Sequence, residues 1–353
     1  MGTKFFQRPV SPLEIERYEN LAKIENDSLV GHPLIVNWSF PMAEHYVVTG
    51  GAGFIGSAIV RRLLNEGAPR VVVIDNLATG RETNLEDVLD SIDFQRADIR
   101  EYGQIAPLIR GASVVFHQAA LPSVPRSIEE PALYHDVNIN GTFNVFRAAH
   151  EGQAGRVIYA ASSSAYGDTE VLPKVETMAP QPKSPYALQK LVGEYYASVF
   201  AAAYGLETVA LRYFNVYGPR QDPSSPYSGV LSLFMKSILR RCPPMIFGDG
   251  EQSRDFTYVD DVAALNLRAA RARNVSGRLY NAGNGGRITL NQAWALLEKI
   301  EGVKIPANYG PPRAGDVRHS QADTAAAVRD LGHAPRYSFE EGMRQTLEWY
   351  RHG

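Results

Sequence analysis

The sequence predicts an α/β protein, a doubly wound parallel sheet with a smaller C-terminal α/β lobe. Three observations carry this. Short apolar runs alternate with longer stretches of helical periodicity between His45 and Tyr213. A glycine triplet, Gly50, Gly53 and Gly56, joins the first apolar run to the first helical stretch. Beyond Tyr213 the alternation breaks into shorter elements separated by Pro- and Gly-rich segments.

In chain order, residues 1–44 stand apart as an N-terminal extension. Ser11-Pro12-Leu13-Glu14 reads as an N-cap, a proline in the first turn and an acid at the helix start. Ile15, Tyr18, Leu21, Ala22 and Ile24 follow at roughly helical spacing, so a short amphipathic helix is expected. Met42, just before the first strand, also reads as a start. Tyr46–Val48, Val71–Ile74, Val114–Phe116, Val157–Ala161 and Thr208–Tyr213 are apolar runs suited to strands buried on both faces. Ile55–Glu66, Pro131–His150 and Pro185–Tyr204 carry helical patterns between them. Tyr217–Gly229, Pro243–Gly250 and Tyr309–Gly315 are the interrupting stretches of the second lobe. The expected division is residues 45–215 for a Rossmann-type dinucleotide-binding domain and 216–353 mainly for a substrate-binding lobe, with some segments returning to the sheet.

Composition narrows the function classes. The 353 residues are 44% hydrophobic and 21% charged, with a net charge of -2, which gives no basic field for nucleic acid or an anionic membrane surface. One cysteine, Cys242, cannot form an intrachain disulfide, and the eight histidines show no ligand spacing, so no metal is expected. The apolar run His32–Phe40 holds Pro33, Asn37 and Ser39 and is far shorter than the ~20 apolar residues of a membrane span. The chain start lacks the apolar core and cleavage site of a secretory signal. A cytoplasmic protein is expected.

The glycine triplet has a physical reading. The first glycine permits a tight turn, the second lets the backbone approach a pyrophosphate, and the third lets helix and strand pack closely. The helix start offers free N–H groups and a positive dipole end to phosphate. Asp75 closes the second strand, some 20 residues on, where a carboxylate accepts from an adenosine ribose. Its charge repels a 2′-phosphate, so NAD is expected over NADP, with Arg81 nearby but not adjacent. The plainer reading of Asp75 is a cap on the following turn.

Ser184-Pro185-Tyr186 opens a long helix, with Ser184 as N-cap. Tyr186 and Lys190, four apart, share a helix face. A phenol with a pKa near ~10 is a poor base at neutral pH, but an adjacent ammonium and a cationic nicotinamide favour the phenolate. Such a group takes the proton of an alcohol while hydride leaves its carbon. Ser162, Ser163 and Ser164 follow a central strand, where side chains face the crevice of such a fold. One of them can share the proton with Tyr186. For Ser164 the plainer reading, a polar turn, is preferred.

At these positions the chain resembles the extended short-chain dehydrogenase/reductases, and among them the nucleotide-sugar 4-epimerases of UDP-N-acetylglucosamine type. The resemblance covers residues 45–350. It rests on Thr49–Gly56, His117-Gln118-Ala119-Ala120, the Ser162 region, Tyr186–Lys190, Arg212-Tyr213-Phe214-Asn215, Ser253-Arg254-Asp255-Phe256 and Arg313-Ala314-Gly315-Asp316. It implies Ser162, Tyr186 and Lys190 as catalytic residues, with Ser163 auxiliary. Around bound NAD it implies Gly50, Gly53, Phe54, Ile55, Gly56, Asp75, Asn76, Asp98, Ile99, Gln118, Ala119 and Ala120, together with Tyr186 and Lys190. On the UDP-sugar it implies Ser123, Arg126, Ser162, Asn215, Arg254, Arg313, Asp316 and Ser320. The plainer reading of Arg254-Asp255 is a local ion pair.

The implied reaction is 4-epimerisation of a UDP-hexose through a 4-keto sugar. A 4,6-dehydratase needs an Asp-Glu pair after its active-site Thr, where this chain has Ser163 and Ser164. A decarboxylase of a UDP-uronate stays open, although no cation is evident beside Ser162 or Tyr186. A non-catalytic sugar sensor of the same fold would not need the tyrosine and lysine. Ser320 corresponds to a bulky tyrosine in epimerases restricted to UDP-glucose and UDP-galactose. A small residue there implies UDP-GlcNAc/UDP-GalNAc interconversion, with UDP-glucose/UDP-galactose as the alternative, and Pro122 departs from the glycine of the best-matched members. Finally, a homodimer is implied, paired through Pro131–His150 and Pro185–Tyr204. Val137, Phe143 and Phe146, or Leu191, Tyr195 and Val199, are its candidate contacts, unless they face the core of their own subunit.

Overall fold

A computed structural model describes residues 45–222, 229–312 and 317–352. The helix expected near Ser11, the extension that holds it, and the site candidates Arg313 and Asp316 lie outside the described residues.

Among the described residues, seven strands form one parallel sheet: β1 (Tyr46–Thr49), β2 (Val71–Asp75), β3 (Asp93–Arg96), β4 (Val114–His117), β5 (Arg156–Ser162), β6 (Glu207–Tyr213) and, after four short strands of the second lobe, β11 (Arg278–Ala282). The sheet order is β11-β6-β5-β4-β1-β2-β3. Strand order reverses between β1 and β4, and ligands of doubly wound sheets bind in the crevice at such a reversal. Both edge strands escape the apolar-run criterion. β3 reads Asp-Phe-Gln-Arg and is only half-buried, and β11 begins at exposed Arg278. An edge strand has one hydrogen-bonded neighbour and tolerates polar side chains, so its sequence is not a continuous apolar run.

The central runs are buried as expected: every residue of β1, β2 and β4 is buried. Phe54–Asn65 forms the first helix and Pro185–Tyr204 the long one. The expected helix Pro131–His150 is more complex. It runs Pro131–His135 as α-helix, Asp136–Gly141 as a π-helical stretch, and Thr142–Glu151 as α-helix again. The wider turn directs buried Asn138 inward, where its amide nitrogen donates to the Leu121 carbonyl (3.1 Å) and to Gln189 Oε1 (3.0 Å).

The second lobe holds β7 (Asn215–Tyr217), β8 (Met245–Phe247), β9 (Ser253–Arg254), β10 (Phe256–Tyr258), β12 (Ile288–Thr289) and β13 (Asn308–Gly310). They pair two by two: β7 with β10, β9 with β12, β8 with β13. Among the described residues, two of the apolar clusters are large. One includes Val47, Ile74, Phe146, Tyr159 and Phe200 around the sheet, and the other gathers Phe234, Met235, Ile246, Trp294, Leu297 and Met343. Among the described residues no helix is long and apolar enough to cross a membrane.

Candidate active site

A cavity of about 800 Å³ opens at the carboxyl edge of the sheet. Its walls run from the glycine loop past Ser162 and Tyr186 to Asn215, Arg254 and Ser320.

At the loop end, Gly50 has φ +70°, and a Cβ there would lie 2.6 Å from the Ala119 nitrogen. A Cβ on Gly56 would overlap the Gly50 carbonyl. These two positions therefore exclude a side chain for packing reasons. Gly53 caps the Phe54–Asn65 helix without a side chain and lines the cavity, as do Phe54, Ile55 and Gly56. The nearest neighbour of a Cβ on Gly53 is the Gly50 oxygen at 3.1 Å, so its cavity side is open for backbone approach. No acid occupies the first turn of that helix, which leaves its positive end uncompensated toward the cavity.

Asp75 ends β2 and is 7% exposed. It fills the plainer of its two expected roles, as a cap on the following turn. Its carboxylate accepts from the Ala52 nitrogen (3.0 Å) and the Leu77 nitrogen (2.8 Å), tying the glycine loop to the following turn, and it also lines the cavity. Burial pushes its carboxyl above the usual range against these two bonds. Arg81, the next cation along the chain, bonds Asp222 at 2.6 Å. Asn76 donates to Asp98 at 2.8 Å. The Arg100 guanidinium holds Asp98 well below the ordinary carboxylate range, at about 2. Ile99, Gln118, Ala119 and Ala120 complete this end. A loop that excludes side chains, an open helix start and a strand-end carboxylate together fit a dinucleotide.

At the reacting end, Ser162 terminates β5 and caps a short 3-10 turn, Ser163–Tyr166. Its hydroxyl lies 2.8 Å from that of Ser164 and accepts from the Ser164 nitrogen at 3.2 Å. Ser164 thus lies in the expected polar turn, with its hydroxyl bonded to that of the candidate catalytic serine. Ser184 caps the long helix by accepting from Ala187 N at 3.1 Å. The Tyr186 nitrogen donates to Ser127 Oγ at 3.2 Å, so a neighbouring helix also holds this helix start.

Burial raises the Tyr186 phenol above its ordinary value, and the Ser162 hydroxyl opposes the rise. Lys190 is 4% exposed, with its Nζ 4.7 Å from the centre of the Tyr159 ring. Burial lowers it to about 7, and Glu194, one helical turn on, works against that. Glu194 is itself gripped by Arg212 at 2.9 and 2.7 Å, both side chains almost fully buried. In the chain alone the influence that lowers the Tyr186 phenol is therefore the Ser162 hydroxyl, and desolvation outweighs it. A buried neutral His117 lies behind, held at about 3 by burial and bonded to Thr49 (2.8 Å) and Thr142 (3.0 Å).

At the far end, Ser320 Oγ donates to Asn215 Oδ1 at 3.4 Å. Arg254 lines the cavity, and its Nη1 donates to the Ser253 and Arg318 carbonyls at 3.0 and 3.1 Å. Two expected substrate residues lie elsewhere. Ser123 accepts from the Arg126 nitrogen (3.3 Å) as N-cap of Val124–Glu129, and the Arg126 guanidinium pairs with Glu130 at 2.8 Å. Neither lines the cavity; Val124, Pro125 and Ile128 do. Helical phase is the reason. Val124 and Ile128 share a face, and Arg126, two residues from each, points away.

Sequence reasoning also missed Ser127 and Asn138, which carry no motif, and Glu194, whose four-residue offset from Lys190 was a usable signal. Among the described residues no group of three or more His, Cys, Asp or Glu side chains could hold a metal ion.

With this geometry in place, known proteins give a consistent frame. The family model described as NAD dependent epimerase/dehydratase matches residues 46–283. A UDP-glucose 4-epimerase of Mycolicibacterium smegmatis is 36% identical over 309 residues, covering 86% of this chain and 98% of that protein. The UDP-N-acetylglucosamine 4-epimerase of Methanobrevibacter ruminantium M1, solved with UDP-N-acetylmuramic acid, superposes with a TM-score of 0.83 at 37% identity, covering 87% of this chain and 98% of that one. The Thermus thermophilus UDP-glucose 4-epimerase, solved with NAD, gives 0.80 at 36% identity, covering 87% and 99%. The parallel sheet with its glycine loop and the matched span agree, and the chain is an NAD-dependent enzyme of the epimerase/dehydratase family.

Proposed function

We propose that this enzyme inverts C4 of a UDP-hexose, with UDP-GlcNAc and UDP-GalNAc as the preferred pair. The observation that carries the reading is one cavity joining the glycine loop, the Ser162–Tyr186–Lys190 group and a far wall with small Ser320. Residues 45–215 would hold the cofactor, and 216–353 mainly the nucleotide sugar.

NAD, when bound, supplies the hydride chemistry and a positive ring charge that favours a phenolate nearby. The chain supplies proton transfer and orientation. Tyr186 as phenolate takes the proton from the sugar 4-hydroxyl, with Ser162 sharing it and Lys190 holding positive charge close by. The 4-keto sugar turns about its pyrophosphate link, and Tyr186 returns the proton to O4 of the inverted centre. Ser163, also on the cavity wall, is the auxiliary hydroxyl. An arginine such as Arg254 suits a diphosphate because its fork meets two oxygens.

The preference for acetylated sugars draws support from small Ser320 and from the apolar face of Val124, Pro125 and Ile128. The test is kcat/KM for both sugar pairs on wild type and Ser320→Tyr. The mutant is expected to lose the acetylated reaction and largely keep the other. Wild type confined to UDP-glucose and UDP-galactose would refute the preference. A second reading, a UDP-uronate substrate, is favoured by exposed Lys183 on the cavity wall three residues before Tyr186. UDP-glucuronate assayed on wild type and Lys183→Met separates the two.

We infer a homodimer as well. Phe143, Tyr195 and Val199 are large apolar side chains exposed on the two candidate helices, which supports a partner there. Phe146 and Leu191 are buried within their own subunit.

A further inference from the structure

Asp255 is a fully buried carboxylate, 0% exposed, outside the proton chemistry above. The local ion pair with Arg254 is not what the structure contains. The carboxylate accepts from three backbone amides: Asn284 N (2.8 Å), Gly285 N (2.9 Å) and Ala322 N (3.0 Å). These amides belong to two segments distant in sequence from Asp255 and from each other. The approach is tight, because a Cβ on Gly283 would overlap Ala322 and lie 2.9 Å from Asp255 Oδ2. Burial pushes the carboxyl upward, and the three amides are the largest of the influences that oppose it.

The segments joined here carry the far wall of the cavity. Ser253 N donates to the Arg318 carbonyl (3.0 Å), Ser320 N to the Ser253 carbonyl (3.1 Å), and Asp255 N to Ser320 Oγ (3.4 Å). Asp255 then takes the Ala322 amide, closing the seam two residues past Ser320. Arg254 and Ser320, the residues on either side of this seam, line the cavity, whereas Asp255, Asn284 and Gly285 do not.

We propose that Asp255 is a positioning residue, fastening the 283–285 and 320–322 segments so that Arg254 and Ser320 are presented together to the nucleotide-sugar. This rests on the reading of that wall as the UDP-sugar side. The chemistry is specific to a carboxylate. An amide in its place offers one acceptor oxygen and turns an NH₂ toward backbone donors.

The experiment uses the full chain, with UDP as the binding probe in calorimetry and UDP-GlcNAc in steady-state assays. For Asp255→Asn, at least a tenfold rise in the UDP Kd and in KM is expected, with kcat within threefold and NAD content unchanged. A UDP Kd within twofold of wild type, or a fall in kcat with loss of NAD, overturns the proposal. Hydrogen exchange on wild type gives a second readout that needs no variant. The Asn284 and Gly285 amides should exchange at least a hundredfold slower than free loop amides, and slower still with UDP, although neither residue lines the cavity. Fast exchange, or exchange indifferent to UDP, also overturns it. Wild type that fails to bind UDP removes the reading of the wall, and the proposal with it. UDP binding that survives Asp255→Asn removes only the clasp.

Discussion

At the scale of single residues, two opposing demands meet on Tyr186: burial makes its phenol a weaker acid, and the proposed function needs the phenolate. Tyr186→Phe should abolish turnover while NAD and UDP-sugar binding stay near wild type, checked by calorimetry alongside the rate. A mutant that kept a tenth of the rate would show another base. Ser162→Ala should cost roughly 10²–10⁴ in rate, the range of a positioned proton-transfer group. The Ser162–Ser164 bond at 2.8 Å predicts that Ser164→Ala has a smaller, measurable effect in the same direction.

Lys190 makes a stability prediction whose sign can be worked out. In the fold it loses its proton near about 7, while an unfolded lysine keeps it to ~10.4. Between those values the unfolded chain binds more protons, so this group's contribution to stability rises with pH across that window. The denaturation midpoint of wild type, measured against Lys190→Met, should therefore gain ground from pH 7 to pH 10. A difference flat with pH would show that Lys190 titrates normally. Asp75→Ala should weaken NAD binding and relax discrimination against NADP on cofactor-stripped protein. The amides of Ala52 and Leu77 also lose their acceptor, so a loss of thermal stability should accompany it.

At the scale of elements, packing around a helix decided what residue type alone did not. Phe143 and Phe146 stand three apart on one helix, yet Phe143 is 40% exposed and Phe146 0%. Phe146→Ala should cost ~3–5 kcal/mol of stability, the usual range for a buried aromatic. Tyr195→Asp with Val199→Asp should leave the fold intact and yield monomers by light scattering at micromolar protein. A dimer that persisted in the double variant would place the interface elsewhere. Helical phase explains Val124–Glu129, where Arg126 was expected on the substrate and pairs with Glu130. Each residue of a helix is turned about 100° from the last, but which side of a short helix faces inward is set by what packs against it.

At the scale of the whole molecule, the cavity gathers residues from Gly50 to Ser320 and lies at the sheet's carboxyl edge. Ligands that bind only the folded state should raise its stability, by ~2.7 kcal/mol at a hundred times Kd. Gly56→Ala should remove the NAD-dependent part of that gain, since its Cβ would overlap the Gly50 carbonyl. A thermal shift with NAD equal to that of wild type would contradict the loop's role.

The central strands, the glycine loop, the place of Asp75 at a strand end and the shared helix of Tyr186 and Lys190 were legible in the chain before it was folded. These are local patterns: periodicity over one element, glycine spacing over one turn, or a four-residue offset on one helix. The edge strands β3 and β11, the π-helical turn that buries Asn138, and the Ser127 bond to the helix that carries Tyr186 emerged only from long-range packing. So did the fact that Asp255 serves amides from two distant segments rather than its neighbour Arg254. Such contacts join residues tens to hundreds of positions apart, and nothing in a short stretch of sequence records which distant backbone will arrive to meet a buried polar group. The demand that the group be satisfied is local, but the partner is chosen by the fold.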